Sequence, residues 1–305
     1  MPDRPRSLDA RARALAAYRA GGLRRPSCAG GVYPEDPVAL RRALDRWLGG
    51  PNGASPAPLR PPRLLVAPHI DYPRGAAGYA HAYRGLAASD AELWVVFGTA
   101  HASPPRLFTL TRLDYATPLG PVRTDRALVD ALVGELGEDE LLGEELAHRE
   151  EHSVELQVVL LAHLLRRPFA VLPVLCSTIS HLADPAAATD PFLAALARAL
   201  RGRRACFLAG ADLAHLGPRY GDPRPPTGAE LEALARRDLA TLAFLERGDA
   251  AGFHRDAARD DARRRVCGTA PIYAALRASG ARARLLHYAQ WTDGIDCVTF
   301  AAAAG

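Results

Sequence analysis

Apolar residues fall along the chain in two rhythms. Short runs of strand length recur as RLLVAPH (63–69), ELWVVFGTAH (92–101), RLFTLT (106–111), FAVLPVL (169–175), ACFLAGADLAH (205–215), RLLHYA (284–289) and CVTFAAA (297–303). Between many of them apolar positions recur at helical spacing, which predicts helices over 37–48, 76–87, 126–136, 154–165, 191–200, 228–245 and 270–277. Strand and helix alternate, the signature of an α/β layer sandwich. LLVA, LWVVF and VLPVL are apolar almost throughout, as suits strands buried on both faces. RLFTLT and CVTFAAA are expected to add antiparallel edges, giving a mixed sheet.

The strongest punctuation is LGGPNGASPAPLRPPR at 48–63, whose Gly and Pro density marks a surface connection. The chain is therefore expected to be one domain, 1–305, with an N-terminal helical segment 1–48 and a Gly/Pro-rich connection 49–63. No repeat of solenoid period is present.

Composition adds little and excludes much. Of 305 residues 49% are hydrophobic and 24% charged, values of a globular chain. All 38 basic residues are arginine, scattered and balanced by nearby acids, so the net charge of +4 does not argue for a nucleic-acid partner. Arg263 to Arg265 form the one basic cluster, expected on a solvated face. The charged N-terminal residues and the lack of any apolar run of bilayer length argue against a signal peptide or a membrane span, and a cytoplasmic protein is expected. Five cysteines, odd in number and without a CxxC pair, exclude a disulfide framework and a zinc finger.

The candidate chemistry lies where strands end. RLLVAPH ends at His69, ELWVVFGTAH at His101, and ACFLAGADLAH with Asp212 and His215. In α/β sheets, groups past the carboxyl ends of strands collect in the crevice that binds ligands. A lone histidine there is more often a satisfied core residue; three on one kind of edge suit metal or acid-base chemistry. Cys267, followed by Gly268 and a helix start, completes a His, His, Cys donor set that suits iron, zinc or copper rather than magnesium or calcium. Read instead as a nucleophile, Cys267 would make a hydrolase with His215 as base and Asp212 as its orienter, and spacing alone does not separate the two. In REEHSVELQ (149–157) His152 and Glu155 lie three apart on a predicted helix, so Glu151, His152 or Glu155 is expected either to serve the cleft as acid or base or to complement the helix dipole.

These segments in this order resemble the Memo family, whose bacterial and archaeal members are labelled AmmeMemoRadiSam system protein B. The resemblance rests on AGGVYPEDPVALRRALDRWL from Ala29, APH at 67–69, GTAH at 98–101, TPLGPVRTD at 117–125, EEHSVELQ at 150–157, ADLAH at 211–215 and CGTAPI at 267–272. It implies a three-layer α/β/α sandwich with a mixed, mainly parallel central sheet, like that of class III extradiol dioxygenases. It also implies metal ligands at His69, His101 and Cys267, with Asp212 and His215 in the same pocket. A thiolate in place of the dioxygenase carboxylate argues against ring cleavage. The loop APHIDYPRG departs from the family's commoner text, placing Asp71 and Arg74 beside the site, either as a surface ion pair or as a change in substrate choice. The implied function is an iron- or copper-dependent oxidoreductase of unassigned substrate, with zinc a third metal. The alternative is a non-catalytic scaffold binding metal or peptide. Radical-SAM proteins of a shared pathway are the implied partners, alongside a small molecule or peptide, with no nucleic acid and no membrane.

Overall fold

A computed structural model describes residues 4–49 and 62–305, so most of the predicted connection 49–63 lies outside the described residues. In chain order the elements are α1 (Arg4–Ala20), β1 (Leu23–Arg24), α2 (Pro37–Leu48), β2 (Leu64–Ala67), α3 (Tyr72–Tyr83), β3 (Leu93–Thr99), β4 (Phe108–Leu110) and β5 (Asp114–Tyr115). There follow α4 (Arg126–Leu136), α5 (Glu138–Leu142), α6 (His152–Leu164), β6 (Ala170–Cys176), α7 (Pro185–Ala199), β7 (Ala205–Gly210) and β8 (Asp212–Leu216). The chain closes with α8 (Gly228–Arg247), α9 (Ala250–Ala258), α10 (Asp261–Arg264), α11 (Thr269–Ser279), β9 (Arg284–Thr292) and β10 (Cys297–Ala304).

Capping chemistry sets several boundaries. Asp36 accepts from the Ala39 amide and is followed by Pro37, so α2 starts where its apolar rhythm does. Thr227 and Glu230 form a reciprocal capping box on α8, and Gly248 ends that helix at φ 68°. Two helices begin a full turn or more earlier than their apolar spacing predicts. α3 starts at Tyr72 rather than 76 because Asp71 caps it and Pro73 fits its first turn. α7 starts at Pro185 behind the Asp184 cap and runs through Pro191, which sequence reading takes as its beginning.

The principal sheet has the order β4-β6-β3-β7-β2-β10-β8, with β9 on the other side of β10. Its four central strands, β6, β3, β7 and β2, are parallel, and β4, β8, β9 and β10 add antiparallel pairings. Alternate residues of each central strand feed opposite cores. Leu64, Val66, Val95, Phe97 and Val174 pack with α4, α7, α9 and α11, whereas Leu65, Ala67, Trp94, Val96 and Leu175 pack with α2, α3 and α6. The result is a three-layer α/β/α sandwich. Among the described residues no helix is long and apolar enough to cross a membrane.

Two expectations need correction. CVTFAAA is not an edge: β10 lies between β9 and the β2/β8 pair, and its residues Cys297 to Ala303 are buried. Helix α3 presses close to β10 because Gly78 has no side chain: a Cβ there would come within 2.9 Å of the Phe300 ring. The arginine cluster is not simply a solvated face either. Arg264 is buried against Asp238 and Asp260, and Arg265 pairs with Asp222.

One feature of the sheet positions the site. β7 and β8 are nearly one strand, separated only by Ala211, and β10 pairs with β2 near its own end and with β8 near its beginning. β2 stops at Ala67, where β10 passes from one neighbour to the other. Pro68 and His69 therefore emerge at an opening in the sheet, at the same end as the residues that follow β3.

Candidate metal centre

His69 leaves β2 with both its main chain and its ring held. Its amide donates to Asp212 Oδ1 at 2.9 Å, and its ring Nδ1 lies 2.9 Å from the Gly210 carbonyl oxygen. A carbonyl only accepts, so Nδ1 carries the hydrogen and Nε2 keeps its lone pair. That Nε2 faces Cys267 Sγ at 3.3 Å. Burial, helped by neighbouring His101, pushes the imidazole down to about 3, so it is neutral at ordinary pH.

His101 follows β3 and is oriented by Glu151. Its Nδ1 lies 3.0 and 3.1 Å from the two carboxylate oxygens, and its amide donates to Oε2 at 3.0 Å. The Ser153 amide donates to Oε1. Burial alone would lower the His101 pKa, but the hydrogen bond and charge of Glu151 outweigh it and raise it. Burial likewise opposes ionisation of Glu151, yet His101, His152 and the Ser153 amide hold its carboxyl well below the usual range. With Nδ1 committed, the Nε2 of His101 is the free donor, an arrangement common to histidines that ligate metals. The His69 and His101 rings meet edge to face, with centroids 5.0 Å apart.

Cys267 arrives from the opposite side of the cleft. Arg265, at φ 51°, turns the chain toward it and is pinned by Asp222 at 2.6 Å and by the His215 carbonyl at 3.1 Å. Thr99 Oγ1 donates to the Cys267 carbonyl, and the Gly268 amide donates to the Asp212 carbonyl. A Cβ at Gly268 would stand 2.3 Å from that carbonyl oxygen, so the residue after the cysteine has to be glycine for this approach. Burial and the nearby Asp212 push the thiol well above its ordinary value. That is the reverse of an activated nucleophile, and the imidazole within reach of Sγ is His69 rather than His215.

One ligating atom each from His69, His101 and Cys267 lie within 4.8 Å of one another. Donors around one tetrahedral ion, with bonds of about 2.0–2.3 Å, sit roughly 3.4–3.7 Å apart, so small rotamer changes bring all three to one centre. A neutral His69, a His101 whose Nδ1 is held by Glu151 and whose Nε2 would give up any proton to a bound cation, and one sulfur fit a transition metal, and a cation there would also draw the thiol to thiolate.

The family model described as Memo-like protein matches residues 24–303, which reach into every strand of the principal sheet and include all three donors. The chain belongs to the Memo-like family. It is 29% identical over 277 residues to a MEMO1 family protein of Methanosarcina mazei, covering 89% of this chain and 93% of that one. It is 32% identical over 224 residues to one of Thermus thermophilus, covering 72% and 63%. Helix α1 precedes the part matched by the Memo-like model.

The other sequence-predicted residues of this Memo-like chain divide. Asp212 is buried beside the donors, its Oδ2 3.7 Å from His69 Nε2, and burial raises its pKa. His152 stacks on His101 with centroids 4.8 Å apart and lies 3.3 Å from Glu151, while burial and His69 push it down to about 4. With His101 and Glu151 it forms a second group of metal-competent atoms. His215 lines the cleft, with Nδ1 near the Leu213 and Arg265 carbonyls.

Glu155 does not join them. Its carboxylate is enclosed by Arg24, the Ser27 amide and hydroxyl, the Cys28 amide and the Tyr33 hydroxyl. Helical spacing put Glu155 on the face of His152, but the N-terminal segment around Arg24 fills that space. Sequence reasoning also gave no particular weight to Gly98 and Gly210. They are register partners in β3 and β7, and a Cβ at either would collide with Ser153 at 2.5–2.6 Å. Their lack of side chains lets the start of α6 sit against the sheet. Their one visible signal is a glycine inside an otherwise apolar strand.

Proposed function

We propose that this Memo-like protein holds one transition-metal ion through His69, His101 and Cys267 and uses it for oxidoreductase chemistry on a small molecule in the adjoining cleft. The observation that carries the reading is the convergence of donors: each imidazole has its Nδ1 fixed by an acceptor, the His69 Nε2 faces the half-buried sulfur of Cys267, and one ligating atom of His101 lies within 4.8 Å of both. Iron and copper are the metals this donor set favours, with zinc third. Bound iron or copper would supply one-electron chemistry. The chain's own groups supply the rest. Glu151 keeps His101 in one tautomer, Asp212 fixes the His69 backbone, and His152 and His215 are placed to carry protons at the cleft wall. Sulfur in place of a carboxylate separates this set from the two-histidine, one-carboxylate sites of oxygenases, so ring cleavage is not inferred.

Protein purified without oxygen and reconstituted with Fe(II), Cu(I) or Zn(II) should retain close to one equivalent by elemental analysis. His69→Ala and Cys267→Ser should each retain at least tenfold less. Equal and negligible metal in all three proteins would defeat the proposal. Metal-loaded protein that consumes no oxygen with any reductant would reduce it to a metal- or peptide-binding module.

A further inference from the structure

We infer that the cleft takes a small organic anion, whose oxyanion group docks on Arg74 at the rim while the rest of the molecule reaches the donors on the floor. This rests on the cleft being the reaction site of the proposed metal centre and names the class of molecule it admits.

Arg74 lies five residues beyond His69, in the first turn of α3, and both line a cleft of about 870 Å³, a size suited to a small-molecule ligand. Its guanidinium is held on two sides. Asp71 Oδ2 accepts from Nε at 2.6 Å, and the Trp291 ring lies beneath, 4.6 Å from ring centroid to the guanidinium carbon. Both Nη groups have no protein acceptor among the described residues, while the side chain keeps 30% of its exposure. A guanidinium with its orientation fixed and two donors unspent is prepared for a planar or tetrahedral oxyanion.

The surroundings support an anion over a neutral molecule. Arg219 also lines the cleft, is exposed, and has no side-chain acceptor among the described residues. The acids of the cleft are engaged: Asp71 with Arg74, Glu150 with Arg149, and Asp212 with the His69 amide. Arg265 contrasts with Arg74, since Asp222 and backbone carbonyls already take its donors. Between rim and floor, Ile70 and Val298 pack with Tyr220 and Trp291, and Tyr220 meets His215 edge to face at 4.9 Å. An anion held at Arg74 therefore has an apolar and aromatic wall leading toward the metal donors.

The test is calorimetric titration of metal-free, full-length protein with benzoate, acetate, phenyl phosphate and the neutral benzamide at one ionic strength. At least one anion should bind, and benzamide should bind at least tenfold more weakly than the best of them. Preference for benzoate or acetate identifies a carboxylic acid, and preference for phenyl phosphate a phosphate ester. Arg74→Gln should weaken the best anion tenfold or more, and Arg74→Lys should lose less. The titration uses metal-free protein, whereas the metal reading is tested by elemental analysis of His69→Ala and Cys267→Ser, so loss of the metal reading and loss of this one are distinguishable. Equal binding of benzamide, no binding by any anion, or an unchanged Arg74→Gln would each overturn the proposal. The comparison of benzamide with the anions needs no variant and stands even if Arg74→Gln does not fold.

Discussion

Glu151 and Glu155 stand four residues apart at the start of α6, are 7% and 0% exposed, and serve different structures. Glu155 is saturated by a buried arginine, two amides and two hydroxyls from the segment between Arg24 and Tyr33. No arginine meets the Glu151 carboxylate; Arg24 donates only to its backbone carbonyl, at 2.7 Å. As the N-cap it sits in extended conformation, accepts from Ser153, and gives its remaining capacity to the ring and amide of His101. Two identical side chains on one short motif are thus divided between holding the fold and holding His101. The difference is set by what the chain brings to each.

The largest effect is expected at Glu155. Glu155→Gln leaves Arg24 charged and fully buried and turns an amide NH₂ toward groups that are themselves donors. Breaking one side of a buried, hydrogen-bonded ion pair costs about 3–5 kcal/mol. Denaturant unfolding of the metal-free variant should show a loss of this size. Arg24→Met combined with Glu155→Leu should recover part of it, because no lone charge then remains. A Glu155→Gln protein as stable as wild type would erase the contrast between the two glutamates.

At Glu151 the effect moves from stability to affinity. Glu151→Gln keeps an acceptor for the Ser153 amide but removes the charge that holds the His101 tautomer. Losing a carboxylate behind a ligating histidine lowers metal affinity about 10–100-fold. Competition against a chromophoric chelator measures this directly, and the unfolding midpoint should move far less than in Glu155→Gln. If both variants lose only stability, Glu151 belongs with Glu155 as a fold residue.

Much of this was legible in the sequence. The apolar rhythm located the strands and most helices because strands buried on both faces have no polar alternative, and the strand-end histidines followed from the way parallel strands deliver their ends to one edge. What stayed hidden depended on partners distant in sequence. Glu155 and His152 share a helical face by spacing, yet the Arg24 segment claims one of them and His101 stacks on the other. β10 reads as an edge because its alanines carry little apolar signal and nothing local announces β9 on one side and the β2/β8 pair on the other. Arg264 read as solvated because nothing local to it announces Asp238, 26 residues away.

The smallest effect separates a histidine of the fold from the histidines of the site. His148 is fully buried next to Arg24, whose Nε donates to its carbonyl oxygen. Its Nε2 lies 2.9 Å from the Thr109 carbonyl and so carries the hydrogen, leaving Nδ1 to accept from the Tyr115 hydroxyl at 2.8 Å. Burial pushes its pKa down to about 4, against an ordinary value of 6.5. Between those values the unfolded chain takes up a proton that the folded chain refuses, so stability is fully present above about 6.5 and declines as pH falls toward 4. One such group contributes at most about 1.4 kcal/mol per pH unit in that window. His148→Gln should therefore be less stable at pH 7 but lose stability more slowly between pH 6.5 and 4.5, measured by unfolding of metal-free protein. The slope that remains includes the other histidines whose pKa burial lowers, His69, His152 and His215 among them. Identical slopes in wild type and variant would show that His148 does not refuse the proton, and would remove it from the buried network around Arg24 that distinguishes this side of α6 from the cleft.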